Sequence, residues 1–169
     1  VVISLVVYAY GLLLYVEDGP NTDEEGDIEI MVEGYQYGWA YEYPNGHVER
    51  GELIVPADQR VDLNITSRDV WHNFGSSDLR IKSDAIPGDY SETWFAVSSE
   101  DVQAQGGEAT YRVQCFELCG PGHSQMKGQI TVLPEDEWEA WYANTTDSSE
   151  SASIEASGFE TAAVSGVGA

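Results

Sequence analysis

Short runs of alternating apolar and polar residues dominate the chain from residue 27 onward and predict strands rather than helices. Runs such as DIEIMVE and RVDLNIT repeat with a period of two and are rich in β-branched residues, as half-buried strands are. Strands are predicted over 27–33, 35–43, 47–55, 60–66, 91–97, 110–115 and 127–133. Strands this short and closely spaced are typical of a β-sandwich or barrel, so the predicted fold class is all-β.

The amino-terminal segment has a different pattern, because residues 1–16 carry no charge. As a helix this segment rises roughly 24 Å, which is short of the ~30 Å hydrocarbon core of a bilayer. We therefore predict the end of a transmembrane helix over 1–16, followed by an acidic linker over 17–26. No Lys or Arg occurs before Arg50, so the positive-inside bias predicts a cell-membrane protein whose following domain is extracytoplasmic.

A helical period returns only over 135–143, where Trp138 and Trp141 fall on one face. This amphipathic helix completes a predicted domain over 27–143. The tail over 144–169 consists mostly of Ser, Ala, Gly, Thr and acidic residues. It has too little apolar surface to order itself, so it is predicted to be disordered.

The charge of the chain is strongly negative, with 30 acidic residues against seven basic ones and a formal net charge of −23. Such a charge repels phosphates and excludes nucleic acid as a partner. Two interpretations remain: adaptation to very high salt, as in a halophile, or an acidic docking face for a basic partner. The acids are spread along the whole chain, which favours adaptation to high salt.

The segment CFELCGPGHSQM, residues 115–126, contains both cysteines together with His123 and Met126. Thiolate, imidazole and thioether ligands select copper over hard cations, and the thioether argues against zinc. Two thiolates can bridge two ions, and each ion then needs its own nitrogen ligand. His123 supplies one, and His72 in SRDVWHNF is the candidate for the other. His47 lies in the polar turn PNGHV and is expected to be an exposed loop residue.

This loop, together with DVWH, IKSDAIPG and GYQYGWAYEY, resembles subunit II of the haem–copper respiratory oxidases, specifically the copper A domain of cytochrome c oxidase. The resemblance implies a cupredoxin-like fold, a Greek-key β-barrel of two sheets. It also implies an electron relay that takes single electrons from a soluble donor, either cytochrome c or a small blue-copper protein. The relay passes them to a haem in catalytic subunit I, which reduces oxygen to water.

The resemblance also implies a ligand set for a dinuclear copper centre. The implied ligands are His72, Cys115, Glu117 through its backbone carbonyl, Cys119, His123 and Met126. In this scheme both thiolates bridge the two ions. His72 and Met126 complete one ion, and His123 and the carbonyl of Glu117 complete the other.

Further roles follow from the same resemblance. The side chain of Glu117 is implied to bind magnesium at the boundary with the catalytic subunit. Lys82 and Asp84, one residue apart in an extended run, are expected to point to the same side, toward that subunit. Tyr37 stands where the family usually has the tryptophan at which electrons enter, and Trp39 is expected on the same face of the strand. Either residue can mediate electron transfer, although packing against the core is the simpler interpretation for Trp39.

Two alternatives belong to other classes of protein. A copper-binding or thiol-redox module for oxidase maturation carries a similar cysteine pair, but it does not need Glu117 or Met126. A nitrous oxide reductase-type dicopper domain usually has an aromatic residue where Glu117 stands, and it accompanies a second multicopper domain.

Overall fold

The computed structural model describes residues 1–18 and 27–145 of the 169. Of the predicted acidic linker, only residues 17 and 18 are described, at the end of the first helix. Of the predicted disordered tail, only residues 144 and 145 are described, as part of the last helix. The rest of both predictions lies outside the described residues.

The described residues contain ten strands and three α-helices. In chain order they are α1 (Val2–Asp18), β1 (Ile28–Tyr35), β2 (Gly38–Glu42), β3 (Val48–Arg50), β4 (Glu52–Pro56), β5 (Arg60–Ser67), β6 (His72–Ser76), β7 (Ile81–Ala85), β8 (Ser91–Ala96), α2 (Ser99–Ala104), β9 (Ala109–Cys115), β10 (Lys127–Leu133) and α3 (135–145), with a 3₁₀ turn at His123–Gln125 before β10.

The strands form two five-stranded sheets that pack face to face. The first sheet has the order β3-β2-β1-β5-β8 and the second the order β4-β10-β9-β6-β7. The β1–β5 and β4–β10 pairs are parallel, and the other pairs are antiparallel. This arrangement confirms the predicted all-β, cupredoxin-like sandwich.

Alternating side chains build the core between the two sheets. On β5, the side chains of Val61, Leu63 and Ile65 point inward and are buried, while the residues between them are half-buried. Each buried aliphatic side chain contributes about 1.5–3 kcal/mol of hydrophobic stabilisation. Across the sandwich, the rings of Trp39 and Phe74 meet edge to face at 5.0 Å. The core therefore reaches up to β6, the strand that begins at His72.

The single strand predicted over 35–43 is wrong, because the chain reverses at Gln36 and Tyr37 to form the hairpin between β1 and β2. Tyr35 pairs with Gly38 across this turn. A Cβ at Gly38 would lie 2.8 Å from Oη of Tyr35, so a larger residue there would force the ring of Tyr35 to shift. Tyr37 therefore lies in the turn and does not share a strand face with Trp39.

The single strand predicted over 47–55 is also wrong, because the chain forms two strands there, β3 and β4. Gly51 has φ +84°, a left-handed backbone that favours glycine, and it separates β3 in the first sheet from β4 in the second. The strands β6 and β7 and the short helix α2 were not predicted from the pattern. Helix α2 is marked locally by its N-cap, where the side chain of Ser98 accepts a hydrogen bond from the backbone N–H of Asp101.

The helix predicted over 135–143 is confirmed as α3, which extends to residue 145. Nε1 of Trp138 donates a hydrogen bond to the carbonyl of Ile54 at 3.2 Å, and the ring of Trp141 packs against Tyr43 at 5.3 Å. Both tryptophans thus face the domain.

His47 is partly buried rather than exposed, so its expected exposure was wrong. Its ring packs against that of Trp141, and its Nε2 lies 2.9 Å from Oε1 of Glu49.

Helix α1 contacts the domain through Tyr15, whose ring meets that of Trp94 on β8 at 6.2 Å. Within residues 1–18 and 27–145, none of the helices combines the length and the apolar character needed to cross a membrane. The assignment of residues 1–16 to the end of a longer transmembrane helix stays a prediction.

Candidate metal centre

A loop between β9 and β10 carries most of the predicted ligands. Its base is closed where the backbone N–H of Cys115 donates to the carbonyl of Met126 at 3.1 Å. The N–H of Phe116 donates to the carbonyl of Asn73 at 2.9 Å and ties the loop to β6. Gly120, with φ +130°, lets the chain turn back toward the sheet. The loop is therefore held by three strands of the second sheet.

The two thiols meet inside this loop without a bond between them. Sγ of Cys115 lies 4.0 Å from Sγ of Cys119, about twice the ~2.0 Å length of a disulfide bond. Both cysteines are free and buried. Two buried, unpaired thiols side by side are suited to bind soft metal ions.

Four further donor atoms surround the sulfurs. Nδ1 of His72 lies 3.9 Å from Sγ of Cys115, and the carbonyl oxygen of Glu117 lies 3.2 Å from the same sulfur. Nδ1 of His123 and Sδ of Met126 lie 3.6 Å and 3.7 Å from Sγ of Cys119. The structure thus brings all six predicted ligands together. The ligand atoms of His72 and both cysteines lie within 4.8 Å of one another.

The orientation of His72 is set by Asp69, three residues earlier. Nε2 of His72 lies 2.8 Å from Oδ1 of Asp69. An ionised carboxylate can only accept hydrogen bonds, so Nε2 carries the proton and Nδ1 presents a lone pair toward Cys115. Buried histidine ligands are commonly oriented in this way by a carboxylate on the second nitrogen.

Asp69 also holds the turn between β1 and β2. Its Oδ2 accepts a hydrogen bond from the backbone N–H of Gln36 at 2.8 Å. Partial burial acts to raise the pKa of Asp69, but the hydrogen bonds from His72, Gln36 and Val70 outweigh burial and lower that pKa. The side-chain amide of Gln36, through Nε2, donates a hydrogen bond to the carbonyl of Cys119. The turn between β1 and β2 is thus linked to His72 through Asp69 and to Cys119 through Gln36.

The thiol of Cys119 carries its proton at neutral pH when no metal ion is bound. Burial and the neighbouring Cys115 raise the pKa of the Cys119 thiol to about 11. A metal ion that binds thiolate must displace this proton, so binding is coupled to proton release. The donor set of two thiols, two imidazoles and a thioether fits copper rather than a hard cation.

The residues predicted around the ligands occupy distinct positions. Tyr37 is 37% exposed, whereas Trp39 is fully buried and its ring packs against that of His72 at 6.0 Å. Lys82 and Asp84 are exposed at alternate positions of β7, as expected for side chains on one side of a strand. The side chain of Glu117 is exposed, while its carbonyl faces the sulfurs.

Three polar residues at the site were not predicted. They are Gln36, Asp69 and Asn73, whose Nδ2 donates to Oδ1 of Asp84 at 2.7 Å. The spacing of Asp69 before His72 in SRDVWH was a usable signal, because histidine ligands generally need a carboxylate or carbonyl partner. Nothing in the local sequence indicates the contacts of Gln36, which depend on the hairpin between β1 and β2.

The fold and the site together define a class: a cupredoxin-like domain with a cluster of soft ligands suited to copper. Residues 47–134 match the family model described as the periplasmic domain of cytochrome c oxidase subunit II. The chain belongs to this family, and neither the maturation module nor the nitrous oxide reductase-type domain is favoured.

Individual relatives agree with the family. The chain is 34% identical over 150 residues to heme-copper oxidase subunit 2 of Aeropyrum pernix, covering 87% of this chain and 61% of that protein. It is 36% identical over 126 residues to cytochrome c oxidase subunit 2 of Thermostichus vulcanus, covering 73% of this chain and 36% of that protein. The chain therefore spans less than two thirds of the length of either relative.

A solved structure with a similar fold is the periplasmic domain of subunit II of cytochrome oxidase from Bradyrhizobium japonicum. It superposes with a TM-score of 0.64 at 28% sequence identity, covering 74% of this chain and 97% of that chain. The described domain thus corresponds to nearly the whole of that periplasmic domain.

Proposed function

We propose that this chain is the electron-accepting subunit of a terminal respiratory oxidase of the cytochrome c oxidase type. It takes single electrons from a soluble donor, either cytochrome c or a small blue-copper protein, and delivers them to a haem of catalytic subunit I. Oxygen is reduced to water in that subunit, so this chain contributes a relay to the enzyme. The observation that carries the proposal is the convergence of both free thiols with two imidazole nitrogens, a thioether and a carbonyl oxygen.

The ligands hold a dinuclear copper centre in this proposal. His72, Cys115, Cys119, His123, Met126 and the carbonyl of Glu117 would hold two copper ions, which would supply reversible one-electron exchange. The protein contributes a rigid frame, because the ligands lie on or between strands β6, β9 and β10. It also excludes water, since His72, Met126 and both cysteines are buried. Little rearrangement then accompanies each electron transfer.

Glu117 has two separate functions in the proposal. Its backbone carbonyl, 3.2 Å from Sγ of Cys115, completes the copper ligands. Its exposed carboxylate is a hard ligand suited to magnesium at the boundary with the catalytic subunit. Lys82 and Asp84 belong to the same boundary, and Nζ of Lys82 lies 5.7 Å from the ring centroid of Phe116, next to Glu117.

In this proposal electrons enter the site at the turn between β1 and β2. The ring of Tyr37 lies directly over the ligand loop, since a Cβ at Gly122 would lie 2.5 Å from its Cδ2. Tyr37 is also partly exposed, so it can touch both a donor and the loop. Trp39 contacts His72 from inside the core and supports the site rather than the donor.

The proposed location is the cell membrane, with the copper domain on the extracytoplasmic side. The uncharged stretch over 2–16 of helix α1 supports this location, as does the periplasmic description of the matched family. In this setting the charge of −23 is an adaptation to high salt.

Rapid mixing of the assembled oxidase with reduced cytochrome c tests the relay. The copper band should bleach first and the haem of the catalytic subunit should follow. In Cys119→Ser, haem reduction by cytochrome c should fall at least a hundredfold, while dithionite still reduces the haem directly. An unchanged rate of haem reduction by cytochrome c in this variant would show that electrons bypass the site.

A further inference from the structure

Trp71 is an exposed indole next to a buried ligand of the metal centre. It is 62% exposed, whereas the other four tryptophans are buried or half-buried. The following residue, His72, is 1% exposed and directs Nδ1 toward Cys115. An exposed indole contributes little to the core, so the fold does not account for its presence at this position.

We propose that Trp71 is a second residue that contacts the electron donor, serving both as the anchor of its docking site and as the start of a path into the copper centre. This inference rests on the proposed function and specifies the surface that the donor uses. It differs from the assignment of Tyr37 and Trp39, since Trp39 has no exposed surface with which to meet a donor.

The position of Trp71 relative to Tyr37 supports a shared docking surface. Asp69 accepts a hydrogen bond from Gln36, the neighbour of Tyr37, and lies two residues before Trp71. The two turns are therefore held together by one carboxylate. Tyr37, Val70 and Trp71 are each more than one third exposed, and they form what we call the apolar rim.

The path from Trp71 to the ligands runs through covalent bonds alone. It passes from the indole along one peptide link to the backbone of His72 and then through the imidazole to Nδ1. Electronic coupling decays less steeply through bonds than across a van der Waals gap. Tyr37 has no such link, because it reaches the ligand loop by packing against Gly122. Trp71 thus offers a continuous path from the surface.

The occupant of the rim is a soluble one-electron carrier whose redox group opens at an apolar patch surrounded by basic residues. The charge of −23 on this chain is complementary to a basic partner, and at the high salt proposed above this attraction acts over only about 3 Å, once the two surfaces meet. The apolar rim then supplies the close contact. Tryptophan is among the residues that most often dominate such contacts, especially near the centre of an interface where it is packed and desolvated.

The test uses the copper-loaded full chain, with reduced mitochondrial cytochrome c as the protein donor and ascorbate as the small reductant. In Trp71→Leu, the second-order rate constant with cytochrome c should fall at least tenfold, while the ascorbate rate and the copper spectrum stay unchanged. Trp71→Phe keeps an exposed ring, so this variant should retain at least a third of the wild-type second-order rate constant with cytochrome c. Tyr90→Leu is the matched control, because it removes an aromatic side chain that is 61% exposed in the segment before β8.

The outcomes separate the inference from the proposed function. If Trp71→Leu reacts with cytochrome c at the wild-type rate, Trp71 is not a docking residue, although the relay stands. If this variant slows ascorbate and cytochrome c equally, its effect is structural and the inference is overturned. A wild-type chain that ascorbate reduces and cytochrome c does not would overturn the soluble-donor function together with the inference.

Discussion

Oδ1 of Asp69 lies 2.8 Å from Nε2 of His72, and this contact leaves Nδ1 of the histidine facing Sγ of Cys115 at 3.9 Å. The same carboxylate accepts the backbone N–H of Gln36. One side chain therefore orients a ligand from one sheet and fixes a turn of the other. The proposed copper ligands therefore depend on this contact as well as on the loop that carries most of them.

Asp69→Asn should weaken copper binding about 10–100-fold, as is typical when the hydrogen-bond partner of a ligand histidine is altered. The amide keeps an oxygen but loses the charge that favours a proton on Nε2. Competition with a chelator of known affinity measures the change. The control is Asp62→Asn, which removes a carboxylate paired with Arg60 at 2.8 Å, away from the ligands. Equal copper affinity in the two variants would contradict the positioning role of Asp69.

Glu117→Gln should lower magnesium affinity in the assembled oxidase at least tenfold, or about 1.4 kcal/mol, while the copper content stays unchanged. The exposed carboxylate is lost, but the backbone carbonyl that faces Cys115 survives the substitution. Metal analysis of the purified oxidase measures both ions, and Glu108→Gln, another exposed acid before β9, is the control. Loss of copper together with magnesium would show that the side chain supports the copper site.

Asp84→Asn should leave the copper spectrum unchanged and slow electron transfer from copper to the haem of the catalytic subunit. The amide oxygen can still accept the hydrogen bond from Asn73, so the fold is retained, but the charge at the predicted boundary is lost. Flash-induced electron transfer in the assembled oxidase measures the rate. Asp78→Asn in the exposed turn before β7 is the control. A wild-type rate in Asp84→Asn would remove this residue from the boundary.

The thermal midpoint should rise steeply as KCl is increased from 0.1 M to 1 M. Over this range the Debye length falls from about 10 Å to about 3 Å, which screens the repulsion within a chain of charge −23. Sucrose is the control, because it stabilises folded proteins without screening charge. A midpoint that does not respond to KCl, with salt-sensitive binding of cytochrome c, would favour an acidic docking face instead.

Much of the fold could be predicted from the sequence, and the six residues predicted as ligands lie together in the structure. The alternation in RVDLNIT identified β5 because this strand has one buried face, and the soft ligands of the 115–126 loop identified copper. Strand β6 was not predicted, because all five of its residues are buried and no period of two appears.

The surroundings of the site were harder to predict, because they depend on contacts between distant segments. The contact of Gln36 with the carbonyl of Cys119 joins residues 83 apart. Trp39 was placed beside Tyr37 on one strand because the turn at Gln36 and Tyr37 has no Pro and the run remains aromatic through it. The exposure of Trp71 depends on how the segment between β5 and β6 packs, which no local pattern records.

The most direct test of the central claim is the paramagnetic resonance spectrum of the copper-loaded chain together with its copper content. The account predicts two coppers per chain and a seven-line copper hyperfine pattern, since one unpaired electron is shared equally between two bridged ions. Both features should disappear in Cys115→Ser and Cys119→Ser, whereas Met126→Leu should keep two coppers and shift only the reduction potential. One copper per chain with a four-line pattern beside an intact Cys115–Cys119 disulfide would contradict the dinuclear centre.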